Sequence, residues 1–264
     1  MEMVLFSDLG RMEYQAAWDY QEALLQGNLR VKAAERERAG VVMPEGHKPA
    51  VEEGRDDRGN TVHHLLFVEH PPVYTLGKSG NIEHVLIGDE RMREKGAQFF
   101  RTNRGGDITF HGPGQLVGYP ILDLEKFNTD IGWYLRSLEE VTIRVLAGYG
   151  LAGERSAGET GVWLDPGARG EERKICAIGV RCSRWVTMHG FALNVDTDLS
   201  WFADIVPCGI AHKQVTSLEK ELGRPIGMSE VKEKWKEKFE EVFGCVLVSG
   251  AGDGRKWGMS GVEG

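Results

Sequence analysis

Cysteine is the strongest nucleophile among the side chains of this sequence, and Cys208 has the most suitable local context. Pro207 restricts the backbone before it, and Gly209 leaves space beside the sulfur. A nucleophilic cysteine needs access and a pKa lowered by a neighbouring cation or helix N-terminus. Cys208 is therefore a candidate nucleophile, although a free cysteine can equally be a small buried apolar residue. That second interpretation is favoured for the three cysteines in apolar or strand-like contexts: Cys176, Cys182 and Cys245.

A lysine at the start of an apolar run is the candidate base. Lys174 precedes the run Ile-Cys-Ala-Ile-Gly-Val. If its amine turned inward, it could pair with a thiolate and exchange protons with it. The alternative is a lysine that ends a strand at the surface beside Arg173, and spacing alone favours that alternative.

A glycine-rich stretch between residues 105 and 115 carries the candidate binding residues. Its four glycines and one proline predict a loop that is neither helix nor regular strand and can approach a ligand closely. Arg104 could hold an anion or pin this loop to Asp107. His111, like His189 further on, could orient a substrate carbonyl or be a satisfied core histidine. The stretch is neither a Walker A loop nor a dinucleotide fingerprint, so no nucleotide site is predicted.

Composition excludes several classes of protein. The 264 residues include 40 acidic and 32 basic side chains, a net charge of −8, which makes nucleic acid an unsuitable partner. We find neither a run of eighteen apolar residues nor a signal-peptide pattern, so we expect no membrane association. The cysteines lack CxxC spacing, which argues against a zinc site or a disulfide framework. We expect a cytoplasmic protein with reduced thiols and no bound metal.

Hydrophobic periodicity predicts the elements that position these residues. Strands are predicted at 4–9, 62–69, 73–76, 98–102, 117–122, 160–164, 174–181, 186–194 and 245–248, the pair at 174–181 and 186–194 lying side by side. Helices are predicted at 13–30, after caps at 128–130, after a capping box at 216–219, and from Ser229 to Gly244. This mixture predicts an α+β fold with a mixed sheet. We expect a single domain, 1–264, with an exposed insertion at 31–60 and a flexible tail at 249–264.

Five motifs, in the same order as in a known family, make residues 61–248 resemble the lipoyl(octanoyl) transferases. They are Glu-His-Pro-Pro-Val-Tyr-Thr-Leu-Gly (69–77), Arg-Gly-Gly-Asp-Ile-Thr-Phe-His-Gly-Pro-Gly-Gln-Leu-Val-Gly-Tyr-Pro (104–120), Arg-Lys-Ile-Cys-Ala-Ile-Gly (173–179), His-Gly-Phe-Ala-Leu-Asn (189–194) and Pro-Cys-Gly-Ile-Ala-His-Lys-Gln-Val-Thr-Ser (207–217).

The resemblance implies the biotin/lipoate protein ligase-like fold, a mixed β-sheet flanked by helices, with the catalytic core at 61–248. It also implies transfer of octanoyl from octanoyl-acyl carrier protein to a lysine of lipoyl domains, those of the 2-oxoacid dehydrogenases and the glycine cleavage H protein. Cys208 matches the acyl-thioester nucleophile of the family, and Lys174 matches the lysine that lowers its pKa. No cofactor is implied, and we expect a monomer.

The residues that match the acyl-substrate positions of the family fall in three groups. They are Arg104, Gly105, Gly106, Asp107, Ile108, Thr109, Phe110 and His111; Ala177, Ile178 and Gly179; and Gly190, Phe191 and Ala192. Phe110 stands where tyrosine is common in the family. Two alternatives are an ATP-dependent lipoate or biotin ligase of the same fold, which carries an R-x-S-G-G-G loop and does not need Cys208, and a non-catalytic binder of acylated carriers.

Overall fold

The computed structural model describes residues 1–38, 59–206 and 214–250. Within them, eight strands form the main sheet. These are β1 (Glu2–Arg11), β2 (His63–Glu69), β6 (Gln115–Ile121), β7 (Val162–Leu164), β8 (Arg173–Ser183), β9 (Val186–Asn194), β10 (Gln214–Val215) and β11 (Cys245–Ser249). Three further strands form a small second sheet: β3 (Val73–Leu76), β4 (Gln98–Arg101) and β5 (Ile108–His111).

The main sheet runs in the order β10-β8-β9-β6-β2-β1-β11, with β7 also on β8. Strand β1 is parallel to β2 and β11, and β10 is parallel to β8. The central pairs β2–β6, β6–β9 and β8–β9 are antiparallel. The predicted mixed sheet and the predicted pairing of the strands at 174–181 and 186–194 are both confirmed.

Five α-helices accompany the sheets in the described residues: α1 (Tyr14–Arg38), α2 (Asp89–Glu94), α3 (Ile131–Ala147), α4 (Leu218–Leu222) and α5 (Met228–Phe243). Helices α3 and α5 cover one face of the main sheet, where Trp235 stacks on Phe191 of β9 with ring centroids 4.0 Å apart. Helix α1 covers the other face, where Leu25 belongs to a buried cluster with Leu66 and Val117. The sheet is therefore buried on both faces.

Local sequence explains where the two longer helices on that first face begin and end. The Asp130 carboxylate accepts hydrogen bonds from the first turn of α3, at the backbone N–H of Gly132 and Trp133. Helix α5 ends at Gly244, which takes the left-handed conformation with φ of 61°. Val231, Trp235, Phe239 and Phe243 recur at helical spacing and form the buried face of α5.

The first part of the expected insertion is not exposed. Helix α1 continues to Arg38, and Val31 and Lys32 on it are buried. Lys32 forms a 2.5 Å ion pair with the buried Asp123, so the charge-rich composition after residue 30 did not signal a loop here. Residues 39–58 of the expected insertion lie outside the described residues.

Two other sequence expectations need correction. The glycine-rich stretch contains a regular strand, β5, because Ile108–His111 pairs in register with Val73–Leu76 of β3. The cap of α4 lies one residue later than predicted: Ser217 accepts the hydrogen bond from Lys220 N–H. Thr216 instead donates its hydroxyl to Glu221, so the predicted capping box does not form.

Candidate active site

A cavity of about 650 Å³ lies between the small sheet with its glycine-rich stretch and strands β8 and β9 of the main sheet. Its volume is within the range of small-molecule sites, roughly 300–1,000 Å³. It brings together thirteen of the fourteen residues matched to acyl-substrate positions, with Phe110 the exception, and Lys174 as well. We call residues 104–109 the glycine wall, and Thr160 and Lys174 the lysine wall.

Arg104 holds the glycine wall in place. Its guanidinium donates to the carbonyl and hydroxyl oxygens of Thr75 and to the carbonyl oxygens of Asp107 and Gly105, at 2.5 to 3.0 Å. Of the two roles open to Arg104, it therefore pins the loop, and it does so through the carbonyl of Asp107. The Asp107 carboxylate is bound elsewhere, by His84 Nδ1 at 2.5 Å and by the N–H of Asn81.

Strand β8 supports the glycine wall directly. The N–H of Gly105 donates to the carbonyl of Val180 at 2.9 Å. A Cβ on Gly179 would lie 2.8 Å from the carbonyl oxygen of Gly105, which is too close for any side chain. Glycine at 179 is therefore required by the close approach of the two backbones.

Three buried histidines lie at or behind the cavity. His111 donates from Nδ1 to Gln115 Oε1 at 2.8 Å, His70 contacts Tyr119 Oη at 2.7 Å, and His189 contacts Asn103 Oδ1 at 2.7 Å. Burial lowers the pKa of His70 to about 4 and the pKa values of His111 and His189 to about 3. All three are therefore neutral near pH 7.

Lys174 points inward. It is 9% exposed, its Nζ donates to the carbonyl of Thr160 at 3.3 Å, and the same atom lies 4.5 Å from the centre of the Trp163 ring. The surface alternative, which spacing favoured, is therefore wrong. An amine held by one carbonyl and one aromatic face at a cavity wall can exchange protons with a substrate there.

Cys208 lies outside the described residues, but the chain on both sides of it is described. On one side, the N–H of Val206 donates to the carbonyl of His84 at 2.8 Å. On the other, Val215 of β10 pairs with Lys174, and the N–H of Thr216 donates to the Lys174 carbonyl at 3.0 Å. His84 and Val215 both line the cavity. The described chain therefore stops beside His84 and resumes beside Lys174.

The other three cysteines are free thiols. Burial raises the pKa of Cys176 and of Cys245 to about 12, and it also raises the pKa of the half-buried Cys182. The buried, unreactive interpretation is confirmed for Cys176 and Cys245.

Phe110 is the one matched residue that does not reach the cavity. It is fully buried on the other side of β5, where its ring stacks on Trp201 with centroids 5.1 Å apart and touches Phe202. The expectation that Phe110 lines the acyl site is corrected accordingly, since the alternation along a strand separates its side chain from those of Thr109 and His111.

Several cavity residues were missed by the sequence analysis. Tyr14 of α1 stacks on His111, with centroids 6.1 Å apart and planes at 8°. Gln115 donates to Asn194 at 2.8 Å, and Asn194 donates in turn to the carbonyl of Thr216 beside Lys174. Gln115 and Asn194 each stand at the end of a stretch that the sequence analysis singled out, and this position could have identified them as site residues. Tyr14 carries no such signal, because only tertiary packing places it at the site.

Across residues 1–38, 59–206 and 214–250, no cluster of three or more His, Cys, Asp or Glu side chains could hold a metal ion. None of the helices in these ranges combines the length and apolar character needed to cross a bilayer.

The chain belongs to the family of the lipoyl protein ligase A/B catalytic domain. Residues 13–240 match the lipoyl protein ligase A/B catalytic domain. Among solved structures, a bi-partite lipoate protein ligase from Thermoplasma acidophilum superposes with a TM-score of 0.63 at 17% identity, over 95% of this chain and 87% of that one. At this identity the likeness shows the fold alone.

Sequence similarity is more specific. An octanoyltransferase of Flavobacterium psychrophilum is 52% identical over 246 residues, covering 93% of this chain and 98% of that protein. An octanoyltransferase of Christiangramia forsetii is 53% identical over 241 residues, covering 91% and 95%. The chain belongs to the octanoyltransferase family, a family of acyltransferases. The ATP-dependent ligase alternative is not favoured.

Proposed function

We propose that this protein takes octanoyl from octanoyl-acyl carrier protein onto Cys208 and passes it to a lysine of a lipoyl domain. The observation that carries the proposal is the inward amine of Lys174 at the wall of a cavity built from the residues matched to acyl positions. The flanking contacts of the Cys208 segment at His84 and Lys174 support it further.

In the first step, Lys174 takes the proton of the Cys208 thiol, and the thiolate attacks the carbonyl carbon of the donor thioester. The new sulfur–carbon bond forms as the bond to the carrier sulfur breaks, and the carrier thiolate recovers the proton from Lys174. One thioester replaces another, so the step is nearly balanced in free energy and needs no ATP.

In the second step, the amine of the acceptor lysine attacks the acyl-Cys208 carbonyl. Lys174 accepts the proton that the amine must lose, and the Cys208 sulfur leaves and is reprotonated by Lys174. An amide is formed at the expense of a thioester, which makes this step favourable. The acceptors in this proposal are lipoyl domains of 2-oxoacid dehydrogenases and the glycine cleavage H protein, and the enzyme acts as a cytoplasmic monomer.

Intact-mass spectrometry tests the intermediate. The protein is mixed with octanoyl-acyl carrier protein without ATP, and we expect one hydroxylamine-labile octanoyl group per chain. Cys208→Ser should abolish that label, whereas Cys182→Ser, a change at another accessible thiol, should leave it intact. A hydroxylamine-labile adduct on Cys208→Ser at the wild-type rate would reject Cys208 as the nucleophile.

Alkylation tests the base. The rate at which iodoacetamide modifies Cys208 is measured against pH, and Lys174→Ala should move the profile to higher pH because the thiolate loses its neighbouring cation. An unchanged profile would count against Lys174. Product formation from free octanoate and ATP, without carrier protein, would restore the ligase alternative.

A further inference from the structure

A fully buried carboxylate lies behind the lysine wall, and neither step above uses it. Glu139 is on α3, and its side chain is 0% exposed. Burying a carboxylate is costly unless it is paired and hydrogen-bonded. Glu139 must therefore have partners that compensate its charge, and those contacts show what it stabilises.

The partners of Glu139 are two arginines and one backbone N–H. Oε2 accepts from Arg136 at 2.6 Å and from Arg155 at 3.2 Å, while Oε1 accepts from the N–H of Gly161 at 2.9 Å. The two arginines reach out to solvent, with side chains 48% and 37% exposed. Gly161 lies in the turn between Thr160, which lines the cavity, and β7.

That turn touches Lys174 at two points. The carbonyl of Thr160, one residue before Gly161, accepts from Lys174 Nζ, and Trp163, two residues after it, places its ring under the same atom. Gly161 itself has φ of 120°, and a Cβ there would lie 2.5 Å from the Cys176 carbonyl oxygen and 3.5 Å from Lys174 Cε. The turn thus packs closely against β8 at Cys176 and Lys174, and Glu139 holds the same turn through the N–H of Gly161.

We infer that Glu139 is a positioning residue for Lys174, acting through the Gly161 turn. It holds the turn so that the Thr160 carbonyl stays within reach of the amine. This inference rests on the proposed role of Lys174 and adds a residue, distant in sequence, on which that role depends. Displacement of a catalytic group by about 1 Å can cost on the order of a hundredfold in rate.

Glu139→Met is the variant that isolates the contact. Methionine has nearly the volume of glutamate but no acceptor, and the half-exposed Arg136 and Arg155 can turn to water, so no unpaired charge stays buried. Thr142→Val is the matched control, since Thr142 is fully buried one turn further on α3 but contacts Leu138 and Cys176 and not the turn. The two variants are measured beside Lys174→Ala.

The readouts are the pH profile of Cys208 alkylation and the single-turnover rate of acylation by octanoyl-acyl carrier protein. We expect Glu139→Met to move the profile in the direction of Lys174→Ala and to slow acylation about ten- to a hundredfold, with donor KM unchanged. Thr142→Val should keep the wild-type profile. Glu139→Gln, which offers one acceptor oxygen for Gly161 or the arginines but not both, should lie between wild type and Glu139→Met.

The outcomes separate this inference from the proposed function. If Lys174→Ala moves the profile and Glu139→Met does not, the positioning role is wrong and the proposed base stands. If Lys174→Ala has no effect, the proposed base itself fails. If Glu139→Met does not fold, Glu139→Gln is the variant that tests the inference. A wild-type pH profile of alkylation for Glu139→Gln would then overturn it. Equal shifts in Glu139→Met and Thr142→Val would also overturn it, by showing a general effect of α3.

Discussion

The two walls of the cavity are held by buried charges of opposite sign. The glycine wall is fixed by a cation, Arg104, that donates to backbone carbonyls of the wall itself and to Thr75. The lysine wall is fixed by an anion, Glu139, that accepts from the backbone N–H of Gly161. A cation fixes a wall by its carbonyl oxygens and an anion fixes one by its N–H groups, so the two walls are held through opposite ends of the peptide group.

The charges also differ in their surroundings. Glu139 is neutralised by Arg136 and Arg155, whereas Arg104 stands near His111 and His189 and helps to lower the pKa of both, after the larger effect of burial. The cavity beside the glycine wall therefore contains a buried cation next to neutral imidazoles. We expect the glycine wall to respond to acid, and to loss of its buried ion, more strongly than the lysine wall.

The largest effect should follow from replacing the buried Arg104. Arg104→Met removes donors to four acceptors, of which the two oxygens of Thr75 are buried, and should lower the free energy of unfolding by about 3–5 kcal/mol. Urea denaturation measures it. Arg144→Met, at an arginine that is 45% exposed and pairs at the surface with Glu140 and Glu241, should cost under about 1 kcal/mol. Similar losses in the two variants would show that Arg104 does not hold the wall.

A smaller effect should come from separating the glycine wall from β8. Gly179→Ala places a Cβ 2.8 Å from the Gly105 carbonyl oxygen, so the backbones must move apart, at about 1–3 kcal/mol. Urea denaturation gives the loss, and a raised KM for octanoyl-acyl carrier protein should accompany it. Gly167→Ala is the control, because a Cβ there has no neighbour within 4 Å. A wild-type KM in Gly179→Ala would show that the wall does not contact the donor.

The smallest effect, under about 1 kcal/mol per histidine between pH 7 and pH 6, is the acid response of the histidines. Their folded-state pKa values, about 4 for His70 and about 3 for His111 and His189, lie below the ordinary value of 6.5. The unfolded chain therefore binds protons first as pH falls. Stability is complete above pH 6.5 and is lost toward pH 4 and 3, by at most about 1.4 kcal/mol per pH unit for each histidine.

Urea midpoints at pH 7, 6 and 5 measure this dependence. His189→Asn removes one titrating group and suits the positive φ of 57° at this position. Its stability should fall less steeply with pH than that of the wild type, whatever its stability at pH 7. Parallel curves for the two proteins would show that His189 takes up a proton in the folded state as readily as in the unfolded one.

Sequence reasoning succeeded where chemistry was local and failed where it depended on packing. The strands around Lys174 and His189 follow from alternation, and the cavity residues follow from motifs in the order of the family. The direction of Lys174 could not be read from spacing, because Thr160 and Trp163, which hold the amine, come from another strand and turn. Strand β5 was missed since four residues among glycines show no period until β3 pairs with them.

Glu139 is a second residue whose burial could not be predicted from the sequence. In the sequence it is one charged residue of a helix, beside Glu140, and nothing distinguishes the two. In the structure Glu139 is fully buried, whereas the side chain of Glu140 is 32% exposed and pairs with Arg144 and Arg155. Which of two adjacent carboxylates faces inward depends on the rotation of α3 against β8.

The protonated state of the three described cysteines has a practical consequence for experiments that count labelled thiols. A thiol reacts with thioesters and alkylating reagents through its thiolate, and burial keeps Cys176, Cys182 and Cys245 in the S–H form near pH 7. The unmodified enzyme therefore has a low background for labelling experiments without removal of any cysteine. One equivalent of label per chain can then be assigned by its stoichiometry, and a second equivalent would report reaction at the half-buried Cys182 or opening of the core around Cys176 and Cys245.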